Sequence, residues 1–132
     1  MEEKFERFSR QREEILKILK ATKSHPTAEW IYSQARKKIP RLSLGTVYRN
    51  LNNLHRKGAI RKLQLGTPFD RFDADTSPHQ HFICKKCGKI YDLFIDMEKD
   101  LRSLAEKEIK FRIEKVEVEF HGICLNCLKL SQ

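Results

Sequence analysis

Residues 40–65 read "PRLSLGTVYRNLNNLHRKGAIRKLQL", and the order of signals in this run decides the fold of the first half of the chain. Ser43 is a good N-cap, because a serine hydroxyl can accept one of the N–H groups that a helix's first turn leaves unbonded. Leu44, Val47, Leu51 and Leu54 follow at i, i+3, i+7 and i+10, one apolar stripe of a helix that runs to Lys57. Gly58 stands where a helix ends by turning into the left-handed region. The stripe leaves Gly45, Thr46, Tyr48, Arg49 and Asn52 on the outer face. A helix packed for stability alone would account for the stripe. The basic, hydroxyl-rich and amide-rich outer face favours a DNA reader, since such side chains pair with base edges and phosphates.

Working outward, Ser9 is expected to cap an earlier helix carrying Ile15, Leu16, Ile18 and Leu19, which "SHPT" at 24–27 interrupts. "AEWIYSQARKKI" at 28–39 reads as a second helix ending before Pro40. After Gly58 come "AIRKLQL" and "FDRFDAD", strand-like runs joined by "GTP", which predict a hairpin. Three helices followed by a hairpin describe a winged helix.

Charge follows the same division. Of the formal net charge of +9, residues 1–66 hold 16 Lys and Arg against 6 Asp and Glu, while residues 67–132 hold 11 against 12. Between Glu29 and Asp70 nine basic residues occur without one acid. A solvated basic face is one account of this bias; a surface that meets polyanions is the other. The chain starts with no apolar stretch behind a basic segment, and its longest apolar run, "IYDLFI" at 90–95, is short and contains Asp92. Neither a signal peptide nor a membrane span is expected, and four cysteines without an export signal belong in a reducing cytoplasm.

The second half is a small α+β segment. Asp96 is expected to cap a helix with Met97, Leu101, Leu104, Ala105 and Ile109 on one face. "KIYDLFI" and "FRIEKVEVEFHGI" are rich in β-formers, the latter switching phase near Lys115 as though bulged. Its core is thin, so completion by a metal ion and by a second copy of the chain is expected. Cys84-x2-Cys87 and Cys124-x2-Cys127 are two knuckles that together offer four thiolates to one ion. Tetrahedral S4 coordination favours structural zinc and leaves no open position; a redox dithiol would want a thioredoxin-like context that is missing.

Residues 77–92, "SPHQHFICKKCGKIYD", hold a second set of donors. His79 and His81, two apart in an extended segment, face the same side and can chelate one ion, with His25, Asp73, Asp75 and Asp92 as further candidates. His55 and His121 read as ordinary surface or core histidines. A nitrogen and oxygen set without thiolate suits the harder ions Fe2+ or Mn2+.

Taken together, "HPTAEWIY", "PRLSLGTVYRNLNNLHRKGAI", "RFDADTSPHQHFICKKCGKIYDL" and "HGICLNC" resemble the ferric uptake regulator family of metal-responsive repressors over nearly the whole chain. The resemblance implies a homodimer with an N-terminal winged-helix DNA-binding domain at 1–72, a hinge at 73–78, and an α/β dimerisation and metal-binding domain at 79–132 with the S4 zinc. It implies a regulatory site of His25, Asp73, His79, His81 and Asp92. It also implies a pseudo-palindromic operator and a DNA-contacting Arg12, to be counted with Ser43, Thr46, Tyr48, Arg49 and Asn52. Aspartates at 73 and 92 look like the peroxide-sensing branch, where iron-uptake regulators more often carry glutamate. Pro78, Gln80 and Val116 depart from the pattern that serves an additional site in iron-uptake regulators, and Arg10 stands where a proline usually precedes Arg12. The alternatives are an iron-uptake regulator without peroxide chemistry, a metalloenzyme acting on an anionic substrate, and a zinc-ribbon interaction module. The second suffers from the lack of a separate general base.

Overall fold

A computed structural model of the chain describes residues 2–65 and 69–130, with side chains from residue 9 onward. The expected "GTP" turn at 66–68 lies outside the described residues. The chain divides into two compact units, Met1–Thr76 and Ser77–Gln132.

The first unit is built of α1 (Glu2–Lys20), α2 (Ala28–Ala35), α3 (Leu44–Arg56), β1 (Arg61–Leu63) and β2 (Arg71–Asp73). Ile15 and Leu19 of α1, Ala28, Ile31 and Ala35 of α2, and Val47, Leu51 and Leu54 of α3 recur at helical spacing and meet in one buried core with Leu42, Ile60 and Phe72. Fully burying one such leucine or isoleucine contributes about 1.5–3 kcal/mol, so this stripe-to-stripe packing dominates the unit's stability. Ser43 caps α3 as expected, its Oγ accepting the Thr46 N–H at 3.1 Å. At the other end Gly58 has φ +77°. Its N–H reaches the His55 carbonyl at 3.0 Å and the Ala59 N–H reaches Leu54 at 2.9 Å, the paired bonds of a Schellman closure. The chain then enters β1, which pairs antiparallel with β2 in the register Arg61↔Asp73, Lys62↔Phe72 and Leu63↔Arg71.

Two local expectations differ. α1 starts at Glu2 and not after Ser9, because strong helix formers upstream extend it. α2 stops at Ala35, short of the expected Ile39, and its cap is Thr27, whose Oγ1 accepts the Trp30 N–H at 3.2 Å. One residue in the α3 stripe is polar: Asn50 is buried, and its Nδ2 donates to the Thr46 carbonyl at 2.9 Å.

The second unit carries β3 (Gln80–Cys84), β4 (Ile90–Leu93), α4 (Glu98–Ile109), β5 (Glu119–Gly122) and α5 (Leu125–Leu130). Its sheet has the order β4-β3-β5. β3 and β4 are antiparallel, with His81 opposite Asp92, and β3 and β5 are parallel, with Phe82 beside Phe120. Gly122 lets β5 pass close to the Phe82 ring: a Cβ there would sit 3.2 Å from it and the ring would have to give by a few tenths of an ångström.

Asp96 does not cap α4: the N-cap is Met97, with no side-chain bond, and the favourable charge at this helix start comes from Glu98 and Asp100 in its first turn. The long strand expected over 111–123 is reduced to Glu119–Gly122. β-formers make a ladder only where a neighbour supplies the other half of the hydrogen bonds, and β3 covers only these four residues. Residues 113 and 114 are held by α4 instead, through Ile113 N–H to Glu106 Oε1 (3.0 Å) and Arg102 Nη2 to the Glu114 carbonyl (3.4 Å). No helix among the described residues is long and apolar enough to cross a membrane.

Candidate metal centres and nucleic-acid interface

The four cysteines converge. Cys84 closes β3, and a turn with Gly88 at φ +75° brings Cys87 back beside it. Cys124 and Cys127 lie at the start of α5. The Sγ atoms of Cys84 and Cys127 are 3.7 Å apart and those of Cys87 and Cys124 are 3.8 Å apart, and all four lie within 4.8 Å of one another. Sulfurs bound tetrahedrally at about 2.3 Å from zinc are separated by about 3.8 Å, so these two pairs have the spacing that the ion requires and the other pairs lie within about an ångström of it. Backbone N–H groups of Cys87 (3.5 Å) and Cys124 (3.3 Å) point at Cys84 Sγ. They pull its thiol down to about 6, Cys87 contributing most. Hydrogen bonding to Cys124 pushes Cys127 up to about 12. The Tyr91 hydroxyl is likewise raised to about 12, first by its hydrogen bond with Cys124. Tyr91 was not anticipated as a neighbour of this centre.

The histidine and aspartate donors fall in both units. In the first, His25 Nε2 lies 3.5 Å from Asp73 Oδ2. His25 has φ +54°, a conformation that costs a non-glycine residue roughly 1–2 kcal/mol and persists only where its surroundings impose it. Arg71 Nη1 donates to the His25 carbonyl at 3.3 Å and the Phe72 N–H donates to the Pro26 carbonyl at 3.0 Å, so β2 imposes it. In the second unit, His79 Nε2 and His81 Nε2 lie 3.4 and 3.3 Å from the same atom, Asp92 Oδ1. Both imidazoles are buried.

His79 Nδ1 is 2.7 Å from the Ser77 carbonyl. A carbonyl only accepts, so Nδ1 carries the proton and a neutral His79 turns an unprotonated Nε2 toward Asp92. A lone pair facing a carboxylate is repelled unless a cation stands between them. Charge-assisted hydrogen bonds run at about 2.7–2.9 Å, whereas donors that share an ion are spaced more widely. The separations of 3.3–3.5 Å fit the second case. In each unit the imidazole and carboxylate donors are of the kind that fits Fe2+ or Mn2+, and the sulfur set of the second unit fits structural zinc. Asp75 is exposed and joins its own N–H to Asp73 Oδ1 at 2.9 Å; His121 pairs at the surface with Glu119 at 3.1 Å.

On α3, Tyr48, Arg49 and Asn52 are exposed together, with Gly45 beside them. Ser43 Oγ and Thr46 Oγ1 are 2.8 Å apart, and Arg49 Nη2 reaches Thr46 Oγ1 at 3.5 Å. Arg12 Nε on α1 is buried and has no hydrogen-bond partner among the described residues.

The sequence profile of the ferric uptake regulator family matches residues 4–121. The chain is 37% identical over 123 residues to the peroxide operon regulator of Bacillus subtilis, covering 93% of this chain and 85% of that one. It is 36% identical over 121 residues to the peroxide-responsive repressor PerR of Staphylococcus epidermidis, covering 92% and 81%. Among solved structures, the Campylobacter jejuni peroxide stress regulator superposes with a TM-score of 0.81 at 29% identity, covering 96% of this chain and 95% of that one.

Proposed function

The chain belongs to the ferric uptake regulator family, and on that premise we propose that it is a homodimeric, DNA-binding transcriptional repressor that holds its operator when metal-loaded and releases it on meeting peroxide. The regulatory ligands are His25, Asp73, His79, His81 and Asp92, and the ion is Fe2+ or Mn2+. A structural zinc on Cys84, Cys87, Cys124 and Cys127 holds the second unit together. The observation that carries the reading is the pair of imidazoles on one carboxylate oxygen, His79 and His81 against Asp92 Oδ1.

Each part has a physical role. His25 and Asp73 come from the winged-helix unit, and His79, His81 and Asp92 from the other. One ion held by both sets ties the units to each other and sets the separation of two recognition helices in a dimer, so that they meet successive major grooves of a pseudo-palindromic site. Tyr48, Arg49 and Asn52 read the groove, with Ser43, Thr46 and Arg12 beside them. Dimerisation is supported by the apolar side chains that α4 and its exit expose, Leu101, Leu104, Ile109 and Phe111, a face a second copy would cover. The protein acts in the cytoplasm, where such an operator lies.

Bound Fe2+ would supply the reductive activation of hydrogen peroxide beside its own ligands. His25 and His79 are the groups oxidised. One oxygen of the peroxide enters an imidazole carbon in place of hydrogen and the other leaves as water, so the ring loses two electrons and the peroxide gains two. An oxidised ring is a poorer ligand, the tie between the units is lost, and repression lifts. The zinc-bound cysteines react more slowly.

A mobility-shift assay on the protein's own promoter with Fe2+, Mn2+ or Zn2+, repeated after peroxide and followed by mass spectrometry, tests this. The iron-loaded protein is expected to gain one oxygen on a peptide containing His25 or His79 and to lose the operator, while the manganese-loaded protein does neither. Oxidised cysteines with intact histidines would move the sensing to the zinc centre. Metal-dependent binding indifferent to peroxide would make the protein an iron-uptake regulator.

A further inference from the structure

The β3–β4 ladder has a consequence beyond the ligands. Gln80 is opposite Leu93 and His81 opposite Asp92, so the next pair outward in the same register is His79 with Phe94. The Phe94 ring lies over the His79 imidazole, centroids 5.1 Å apart and planes 31° apart. His81 packs edge-to-face with the same imidazole, with centroids 4.7 Å and planes 65° apart. Phe94 is beyond the last residue of β4, where the main chain has left the ladder. Gln80 replaces the missing ladder bond: its Oε1 accepts the Ile95 N–H at 3.0 Å, holding the segment that carries Phe94 against β3. The sequence singled out Gln80 as a departure from the family pattern, and here it has work of its own. The far side of Phe94 is in solvent, the residue being 66% exposed, while the His79 side chain beneath it is fully buried. Water exposure of a large aromatic is unfavourable, which makes its contact with a ligand histidine the feature to explain.

We propose that Phe94, held by Gln80, is a positioning residue that covers the His79 imidazole and slows exchange of the regulatory ion. The proposal rests on the reading of His79 as a regulatory ligand. Among the contacts on that ring, the Ser77 carbonyl fixes its tautomer, and Phe94, with His81 packed on the same ring, holds its plane. With these in place Nε2 stays aimed at Asp92, and a ligand that cannot swing out releases an ion slowly.

Two measurements on the zinc-containing full-length chain test this, comparing the parent with Phe94→Ala, Phe94→Tyr and Gln80→Leu. The first is hydrogen–deuterium exchange at the imidazole C2 position, read by mass spectrometry without regulatory metal. The second is release of bound Mn2+ to excess chelator. Phe94→Ala is expected to speed both the His79 exchange and Mn2+ release by about three- to tenfold, the scale of one aromatic contact. Exchange at His121 should not change. Phe94→Tyr should restore the parent rates, and Gln80→Leu should shift them in the same direction as Phe94→Ala by less. Unchanged His79 exchange in Phe94→Ala overturns the proposal. So does loss of the dimer with His79 exchange unaltered, which would make Phe94 an interface residue. A parent that binds no Mn2+ would refute the functional reading instead, and the metal-free exchange would still report whether Phe94 covers His79.

Discussion

The sulfur atoms of Cys84 and Cys127 stand 3.7 Å apart although 43 positions separate them in the chain. The contact joins the end of β3 to α5, the two extremes of the second unit, so an ion held there acts as a cross-link. Structural zinc contributes about 10 kcal/mol or more in small domains, more than this unit's thin core can replace. Cys124→Ser is therefore expected to release zinc and lower the melting temperature sharply, and the dimer should go with it. His79→Ala should keep the zinc. Metal analysis with thermal melts checks both, and a zinc-free Cys124→Ser protein as heat-resistant as the parent would refute the structural role.

Arg49 and Tyr48 are exposed side by side on α3. If Arg49 touches a phosphate, Arg49→Ala weakens all sequences alike and lowers the salt slope by about one; if it reads a guanine, the loss is about 1–3 kcal/mol with relaxed preference at that position. Titrations at several salt concentrations distinguish the two. Operator binding unaffected by both Arg49→Ala and Tyr48→Ala would remove α3 from the interface.

His25 is held in an unfavourable backbone conformation beside Asp73. His25→Ala should weaken the regulatory metal and operator binding together, with zinc and the dimer retained. Because coupling is reciprocal, operator DNA should tighten metal binding in the parent by the same factor that metal tightens DNA. Calorimetry with and without operator measures this, and equal DNA affinity with and without metal would contradict the sensing mechanism.

Leu104 and Phe111 are 64% and 71% exposed on the face assigned to the second copy. A charge buried in such an interface is costly, so Leu104→Glu should shift the protein to monomer at concentrations where the parent is a dimer, without loss of zinc. Sedimentation velocity reads the outcome; a dimer as tight as the parent's would place the interface elsewhere.

Much of this molecule was legible because its signals are local. A cap, an apolar stripe and a terminal glycine lie within one stretch of chain, so Ser43, Gly58 and three of the four stripe positions of α3 could be read as written; Leu44 is only half-buried and Asn50 is buried in its stead. The two cysteine pairs could be read for the same reason: a knuckle is four residues long, and four thiolates have few other uses in a reducing compartment. Spacing by two likewise turned His79, just ahead of β3, and His81, within it, toward the same carboxylate oxygen of Asp92.

Tertiary structure decided what depends on partners far apart in sequence. β-propensity ran through 111–123, yet only 119–122 became a strand, because β3 meets only those residues and a ladder needs both halves. Asp96 lost the cap to a start one residue later, a choice that chain geometry makes and propensity does not. His25 carries no sequence signal for its left-handed backbone; Arg71, 46 positions away, holds it there. The tautomer of His79 is set by the Ser77 carbonyl and its cover by Phe94, contacts that exist only once β3 and β4 are paired in register. Composition and spacing determined which atoms could bind metal, because donor chemistry belongs to residue types. Strand pairing determined where those atoms point, because direction is a property of the folded backbone.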